Sequence, residues 1–210
     1  MKIIMHNSVS LDSSMKELKV DLATHYELVE KFDVDVYMFG SVTAVAAIQE
    51  GLAEVEVDIE KVKKDKPYWV IIDSKGKLEN LLHIYRKSPY AGNIIVLVSK
   101  KTPKSYLKYL TDNDYDYIVT GEDFVDYKQA LQILEEDYSV KSILIDSGGL
   151  LNSYFFEHSL IDEISLIIQP FILGKECINL FRYIKTPLNL SLVKCERIKE
   201  LIWLIYKIKK

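Results

Sequence analysis

Residues 141–166 have the sequence KSILIDSGGLLNSYFFEHSLIDEISL, in which an apolar run leads into an acid, two glycines and a helix-like stretch. The run at 143–145 predicts a buried strand that ends at Asp146. Gly148 and Gly149 follow at the predicted start of a helix. Two explanations remain open for this pair: a tight turn that needs a positive φ angle, or a helix N-terminus whose backbone approaches a phosphate.

Short apolar runs alternate with helical patterns through most of the chain, which predicts a largely parallel sheet covered by helices on both faces. We expect strands at 2–9, 35–40, 67–73, 93–99, 116–120, 141–146, 161–173, 190–198 and 201–208, and helices at 21–32, 41–51, 78–87, 102–110, 123–138 and 150–160. The last three strands have no helix between them, so they should pair antiparallel, the final two as a hairpin near 198–200. The predicted fold class is α/β: one three-layer α/β/α domain over 1–210, with a mixed, mostly parallel sheet.

Two helix starts carry a capping signal. Thr102 precedes a proline that suits the first helical position, and Asp123 precedes the helical pattern that follows it. We therefore expect both side chains to cap the helices at 102–110 and 123–138. The charged segment at 50–66 breaks the alternation and is expected to be either a solvated loop or a dimer contact.

Composition excludes several classes of function. The formal net charge is −4, which gives no reason to expect a nucleic-acid partner. No run reaches the roughly 18 apolar residues of a membrane span, and the start lacks a signal-peptide core, so we expect a cytoplasmic protein. Cys177 and Cys195 have no metal or disulfide spacing, and the four histidines share no spacing, so no metal site is expected.

Polar residues and glycines follow the predicted strands, at the sheet edge where open α/β proteins bind ligands. They are Ser8, Ser10 and Asp12 after the first strand, Gly40 and Thr43 after the second, Ser99 and Lys100 after the fourth, and Asp146, Ser147, Gly148 and Gly149 after the sixth. This set suits a ligand with several phosphates, although the same residue types are also ordinary in turns. Asp146 ends a strongly apolar strand, so partial burial is expected to perturb its pKa, which favours a functional role.

Four stretches resemble the reductase domain of riboflavin biosynthesis, a domain with a dihydrofolate-reductase-like fold. They are VSLDSS (9–14), VYMFGSVT (36–43), WVIIDSKGKL (69–78) and VKSILIDSGGLLNSYFFEHSLIDEISLIIQPFILGKE (140–176). The last is the most specific, because it combines an acid, small residues and a helix with the later LIDE and P-to-G pattern at 160–174. The resemblance covers nearly the whole chain.

The resemblance implies an NADPH-dependent reductase that transfers hydride to C1′ of the open-chain imine of a ribosylamino-pyrimidine 5′-phosphate. It implies a typical homodimer and the following site residues: for the cofactor Ser8, Gly40, Thr43, Ser147, Gly148, Gly149, Leu150, Leu151 and Asn152; for the substrate Ser10, Asp12, Lys31 and Asp146. Asp12 and Asp146 would be the catalytic acids. Ser99 and Lys100 are assigned to the cofactor 2′-phosphate from their hydroxyl group and charge.

The chain departs from the family pattern mainly on the substrate side. Ser13 stands where the family has glycine, Asp146 where it has glutamate, and AVAAIQEG (44–51) where it has an acidic loop. Two alternatives therefore stay open: a dihydropteridine-type reductase of the same fold, with Asp21 gripping a pterin, and a non-catalytic nucleotide-binding dimer. The proton donor is not identified from the sequence.

Overall fold

The computed structural model describes residues 1–15, 20–49, 66–88 and 91–209. Its strands are β1 (Lys2–Ser10), β2 (Val36–Gly40), β3 (Tyr68–Ile72), β4 (Ile94–Val98), β5 (Asp116–Val119), β6 (Ser142–Ile145), β7 (Glu163–Gln169), β8 (Leu190–Ile198) and β9 (Leu201–Ile208). Its helices are α1 (Leu22–Val29), α2 (Ser41–Gln49), α3 (Leu82–Arg86), α4 (Lys104–Asp112), α5 (Tyr127–Tyr138) and α6 (Gly149–Glu157), and a 3-10 turn lies at Gly174–Glu176. Every predicted strand and helix is present. Residues 50–65 of the charged segment, and the last two of the predicted helix 41–51, lie outside the described residues.

The chain forms two compact units, of which the first comprises Met1 and Val34–Lys141. Its strands have the order β5-β4-β3-β2 and are all parallel. The β4 sequence IIVLV is buried at every position, as expected for a parallel strand inside a sheet. Ile71, Val96, Leu82 and Tyr106 belong to one apolar cluster that forms the core of this unit.

The second unit comprises Lys2–Asp33 and Ser142–Lys210. Its strands have the order β6-β1-β7-β9-β8, in which β6, β1 and β7 are parallel and β9 is antiparallel to both β7 and β8. The predicted antiparallel end of the sheet and its final hairpin are therefore confirmed. Leu28, Ile167 and Trp203 pack in the core of this unit.

The predicted cap of α4 is wrong. Pro103 occupies the N-cap position and α4 begins one residue later, with no side-chain cap. The Thr102 hydroxyl oxygen instead accepts a hydrogen bond from the backbone N–H of Ser99 at 3.0 Å. A hydroxyl that closes the turn after β4 in this way is no longer free to cap the helix.

The predicted cap of α5 is also wrong. Asp126, not Asp123, is the N-cap, and its carboxylate accepts from the backbone N–H of Gln129 at 3.2 Å. Asp123 forms an ion pair with Lys101 instead. The capping rule identified an acid of the right type, but the loop continues for three more residues before the helix starts.

Several predicted elements are shorter than expected, and for two of them the cause is visible in the contacts. The strand predicted at 161–173 ends at Gln169, since Pro170 has no N–H to donate to a neighbouring strand. The helix predicted at 78–87 is confined to α3. Its first residues stay in a turn because the Asp73 carboxylate accepts hydrogen bonds from the backbone N–H groups of Lys77 and Leu78, at 3.0 and 2.9 Å.

Candidate active site

The carboxyl ends of β1 and β6 bring several polar side chains together within the second unit. The two strands run parallel, with Met5 opposite Ile145. Asp146 follows β6 directly, and Asn7 and Ser8 continue β1 beyond the paired residues. This is the edge of the sheet at which α/β proteins bind ligands.

His25, on α1, connects Asp146 to Ser8. The Nε2 atom of the imidazole lies 2.9 Å from Oδ2 of Asp146, and its Nδ1 atom lies 3.0 Å from the hydroxyl oxygen of Ser8. The His25 side chain is only 6% exposed, whereas the carboxylate of Asp146 is 27% exposed. The three groups therefore form a hydrogen-bonded line that begins in the protein interior and opens to solvent at Asp146.

Two buried asparagines fix the loop between β6 and α6. The side-chain amide of Asn7 donates to the Ser147 carbonyl at 3.0 Å and to Oδ1 of Asp146 at 3.4 Å. The amide of Asn152 donates to the same carbonyl at 2.9 Å and to the side-chain oxygen of Asn7 at 2.8 Å. The predicted site residues Ser8, Asp146, Ser147 and Asn152 are thus joined in one network.

His6 packs against His25, which belongs to this network. Its ring centroid is 4.8 Å from that of His25, and its Nδ1 atom lies 2.8 Å from the Ser165 hydroxyl oxygen. That oxygen also accepts from the indole N–H of Trp203 at 2.9 Å, so the Ser165 hydroxyl hydrogen is free to point at His6. Nε2 of His6 is buried with no hydrogen-bond partner among the described residues.

The site shifts the pKa of each of its three titratable groups, two downward and one upward. Complete burial, with some repulsion from His25, lowers the pKa of His6 to about 3, so this ring is neutral at ordinary pH. Burial alone would lower the pKa of His25, but attraction to Asp146 and the hydrogen bond between them outweigh burial and raise it. Burial likewise opposes ionisation of Asp146, yet His25 holds the pKa of that carboxyl below its ordinary value.

The two glycines of the opening stretch do not make a turn with positive φ, and that explanation is wrong. Gly148 has φ −71° and ψ 169° as the N-cap of α6, and the positive φ angles recorded for glycine belong to Gly76, Gly121 and Gly174. A Cβ atom at Gly148 would meet no heavy atom within 4 Å, while one at Gly149 would lie 3.3 Å from the Leu180 carbonyl oxygen. Neither backbone angle nor packing therefore requires glycine at 148.

A cavity of about 250 Å³ opens at the start of α6. Its lining includes Gly148, Gly149 and Leu150 from the start of α6, together with Arg182 and Tyr183. No side chain caps α6, so its first backbone N–H groups are not used by a capping residue. Uncapped N–H groups, the positive end of the helix dipole and a nearby guanidinium together fit a phosphate group.

Asp12 and Ser10 belong to a different cluster. The Ser10 hydroxyl donates to Asp12 at 2.6 Å, and the same carboxylate accepts from the backbone N–H groups of Leu173 and Gly174 at 3.2 and 2.8 Å. The Ser10 hydroxyl bond, against a smaller opposing effect of burial and with help from the two backbone donors, lowers the pKa of Asp12 to about 2. These contacts tie the loop after β1 to the loop before the 3-10 turn, and a catalytic role for Asp12 stays a prediction.

The remaining predicted residues lie in varied positions. Lys31 is exposed, with its ammonium 5.5 Å from the Trp203 ring centroid. In the first unit, Gly40 ends β2 and Thr43 lies in the first turn of α2. Ser99 is buried after β4, and Lys100 is exposed and paired with Glu122. Their roles in cofactor or substrate binding stay predictions.

Sequence reasoning missed His25 and Asn7 as parts of the site. His25 follows Asp21 by four residues on a short helix, and nothing in that spacing marks it as a partner of Asp146. The contact joins residues separated by 121 positions, so a local pattern carries no signal for it. A histidine on the buried face of a helix was the only available clue.

Comparison with known proteins supplies the family. The family model described as RibD C-terminal domain matches residues 1–204. The chain belongs to the RibD C-terminal domain family. The predicted resemblance to the reductase domain of riboflavin biosynthesis is thereby confirmed, as is the prediction of an oxidoreductase of this type, and the family implies a nicotinamide cofactor.

Individual relatives agree with this assignment. The chain is similar to the 2,5-diamino-6-ribosylamino-4(3H)-pyrimidinone 5′-phosphate reductase of Aquifex aeolicus, with 26% identity over 186 residues, 83% of this chain and 79% of the relative. Among solved structures, Acinetobacter baumannii RibD has a TM-score of 0.73 at 18% identity over 99% of this chain. A pyrimidine reductase-like protein from Corynebacterium diphtheriae also gives 0.73 at 18% identity, over 100% of this chain and 92% of that protein. The chain spans 58% of the Acinetobacter RibD chain, and both likenesses confirm the predicted fold class.

The structure also bears on the predictions made for Asp21, for the two cysteines, and for membrane spans and metal sites. Asp21 is the N-cap of α1, accepts from the Thr24 backbone at 3.0 Å and is 36% exposed, so the pterin-gripping buried acid of the alternative reductase is not found there. Both cysteines are free thiols. Within the described ranges, the helices are too short or too polar to cross a bilayer, and no three metal-binding side chains cluster.

Proposed function

We propose that this chain is an NADPH-dependent reductase that converts the ribosyl group of a ribosylamino-pyrimidine 5′-phosphate into a ribityl group. The observation that carries the proposal is the uncapped start of α6, which opens on a cavity with Arg182 and has a glycine at 148 that the fold does not need. The Asp146–His25 pair lies at the same end of the sheet. The name of the Aquifex aeolicus relative supports the substrate.

The residues of the second unit suit the proposed chemistry. A bound nicotinamide cofactor supplies the hydride that reduces C1′ of the sugar. The open-chain imine accepts hydride most readily as a cation, so the ionised Asp146 carboxylate stabilises the species that reacts. Ser147, Gly148 and the first turn of α6 would hold the cofactor pyrophosphate through backbone N–H groups, while the buried Asn152 keeps that loop in place.

Nucleotide binding tests the cofactor half of the proposal. We expect NADPH, and NADH more weakly, to quench tryptophan fluorescence of the purified protein, and we expect Gly148→Val to abolish NADPH binding. Ser105→Val on the exposed face of α4 is the control for added side-chain bulk and should bind normally. If neither NADPH nor NADH binds, the reductase assignment is refuted.

Turnover tests the substrate. The protein is incubated with 2,5-diamino-6-ribosylamino-4(3H)-pyrimidinone 5′-phosphate and NADPH, and oxidation of NADPH is followed at 340 nm while the product is identified by mass spectrometry. We expect a product two hydrogens heavier than the substrate. Tight NADPH binding with no turnover of this compound, or turnover of dihydropteridines alone, would contradict the proposed substrate.

The proposal includes a cytoplasmic homodimer that takes a small-molecule substrate. Leu192 and Val193 on β8 are 56% and 59% exposed, and Ile202 on β9 is 40% exposed, which supports burial against a second copy. Sedimentation should give the mass of a dimer, and Val193→Glu should shift it toward monomer. A monomeric wild-type protein at micromolar concentration would exclude the dimer.

A further inference from the structure

Beyond the proposed substrate and cofactor, the second unit contains a candidate for the missing proton donor. We propose that His25 supplies the proton of the reduction, passing it through the Ser8 hydroxyl, with Asp146 as the counter-ion that keeps the imidazole charged. This inference rests on the proposed function, since Ser8 is placed beside the nicotinamide only in that reading. The donor would be a side chain on α1 that no sequence motif marks.

The hydrogen-bond geometry fixes how the imidazole is protonated. Nε2 of His25 faces a carboxylate oxygen at 2.9 Å, so this nitrogen carries a hydrogen whether the ring is neutral or charged. The second proton of the imidazolium must therefore reside on Nδ1, which faces the Ser8 hydroxyl oxygen at 3.0 Å. Loss of that proton can occur only toward Ser8.

The direction of the Ser8 hydroxyl consequently depends on the charge of His25. When the ring is neutral, its bare Nδ1 accepts the hydroxyl hydrogen. When the ring is charged, Nδ1 donates to the hydroxyl oxygen, and the hydroxyl hydrogen must turn to another acceptor. Ser8 is 6% exposed, so that acceptor would be a substrate oxygen that reaches the small accessible part of this residue, and only the charged ring prepares Ser8 as a donor.

The groups that surround His25 favour the charged ring. Asp146 faces it from the end of β6 and contributes the attracting charge. His6 faces it from β1 with ring centroids 4.8 Å apart, but its pKa of about 3 leaves it neutral, so it does not repel the imidazolium at ordinary pH. Tyr26, next on α1, packs against the imidazole in a T-shaped arrangement, with ring centroids 5.2 Å apart. The pKa of His25 is accordingly raised, mainly by Asp146 against the opposing effect of burial.

The reduction consumes one proton and one hydride, and each can be traced. The Ser8 hydroxyl gives its proton to the sugar ring oxygen as the C1′–O bond breaks, and the lone pair of the exocyclic nitrogen forms the C1′=N bond of a cationic imine. Ser8 takes the proton of Nδ1 from His25, whose charge thus passes to the substrate. A bound nicotinamide would supply the hydride that adds at C1′ and gives the neutral open-chain amine. After the product leaves, water that enters the vacated site would return a proton through the Ser8 hydroxyl to Nδ1 of His25.

The pH dependence of kcat/KM is the test, because a purely structural His25 would not set it. In the wild-type protein we expect kcat/KM to fall as pH rises through the pKa of His25, since the charged ring is the donor. The midpoint of that fall should coincide with the His25 pKa measured by NMR titration of the imidazole C–H signals in the free protein. A midpoint that differs by more than about one pKa unit would overturn the inference.

Substitution gives an independent readout. His25→Gln should lower kcat on the order of 10²- to 10⁴-fold and remove the alkaline fall, the range usual for loss of general acid catalysis. His83→Gln on the exposed α3 is the matched control and should retain the wild-type rate and pH profile. NADPH affinity within about threefold of wild type would show that the His25 variant is folded. Retention of the alkaline fall in His25→Gln would refute the inference.

A second variant keeps the inference testable if His25→Gln does not fold. Ser8→Ala should reduce kcat comparably while the NMR titration of His25 remains visible, because the donor is present but its relay is absent. Normal kcat in Ser8→Ala would exclude the relay. If the wild-type protein binds NADPH but never reduces the ribosylamino-pyrimidine phosphate, the proposed function fails, whereas turnover with unchanged variants rejects only the role of His25.

Discussion

At the scale of single residues, the same side chain has opposite properties at two adjacent places. His6 and His25 are both buried, yet the pKa of one is lowered to about 3 and the pKa of the other is raised. The difference arises because only His25 bonds directly to the Asp146 carboxylate. Burial alone keeps a histidine neutral, whereas burial with a paired carboxylate keeps it charged.

Replacement of Asp146 by asparagine should therefore reverse the behaviour of His25. The variant retains the shape of the side chain but loses the charge, so burial alone remains and the pKa of His25 should fall below its ordinary 6.5. NMR titration of the imidazole signals measures this directly. Asp12→Asn is the control and should leave the His25 titration unchanged. A raised pKa that persists in Asp146→Asn would assign the shift to another group.

Acid stability should report His6. Since its folded-state pKa lies near 3, against 6.5 when unfolded, the unfolded chain binds a proton that the folded chain does not, and stability falls as pH drops through this interval. His25 has a raised pKa, so its stabilisation is complete below 6.5 and is lost only at higher pH. Asp146 has a lowered pKa, so its stabilisation is lost only as pH falls below its ordinary 3.8. Among these three groups, His6 therefore determines how steeply the free energy of unfolding falls with pH in this interval.

Urea unfolding between pH 4.5 and 6 should therefore show a loss of up to about 1.4 kcal/mol per pH unit from this one group. His6→Asn should have a flatter profile over the same interval, whatever its absolute stability. An unchanged slope in the variant would show that His6 is protonated in the folded protein.

Ser13 offers a test of backbone strain. It has φ 64°, in the left-handed region, at the position where the family pattern has glycine. Ser13→Gly should raise the free energy of unfolding by roughly 1 kcal/mol, because glycine has no Cβ to clash there. Ser105→Gly in the exposed part of α4 is the control of opposite sign and should destabilise by roughly 0.5 kcal/mol. Urea unfolding compares the two, and destabilisation by Ser13→Gly would contradict the assigned strain.

At the scale of elements, apolar runs located the strands well, while side-chain chemistry located the helix starts poorly. Runs such as IIVLV predict strands because burial on both faces requires continuous apolar residues. The expected caps at Thr102 and Asp123 were wrong because those side chains bond to Ser99 and Lys101 instead. A capping residue has several competing partners within a few ångströms, and the sequence does not rank them.

Gly148→Ser should separate stability from binding at the start of α6. The backbone at this N-cap is already extended, so a serine hydroxyl can cap the helix and raise the free energy of unfolding by roughly a few tenths of a kcal/mol. The same hydroxyl would occupy backbone N–H groups proposed for phosphate, so NADPH affinity should fall at least tenfold. Unfolding in urea and calorimetric titration give the two numbers. If the stabilised variant binds NADPH with unchanged affinity, the cofactor phosphate does not bind at the start of α6.

At the scale of the whole molecule, the fold class was predictable and the site only in part. The sequence pattern predicts the alternation of strands and helices and the antiparallel end of the sheet. It also indicates Asp146, because this acid directly follows an apolar strand. His25 was not marked, since its contact depends on how distant segments fold together. Three-dimensional neighbours of this kind leave no local pattern.

Ligand binding should be visible in the stability of the molecule as a whole. If NADPH binds only the folded protein, a concentration 100 times its Kd should add about 2.7 kcal/mol to the free energy of unfolding. Thermal melts with NADPH, with NADH and with neither measure this, and Gly148→Val should show no shift. Equal shifts by both nucleotides would show that the 2′-phosphate is not recognised.

The strand order of the second unit also determines when it can form during protein synthesis. β1 leaves the ribosome before the other strands of this unit, but its partners β6 and β7 begin at Ser142 and Glu163, and β9, which separates β7 from β8, follows all of them. At usual translation rates the apolar β1 waits on the order of ten seconds for its neighbours. The continuous segment Val34–Lys141, which belongs to the first unit, is synthesised in this interval. We therefore expect the nascent β1, apolar and still without its partner strands, to be a binding site for chaperones at the ribosome exit.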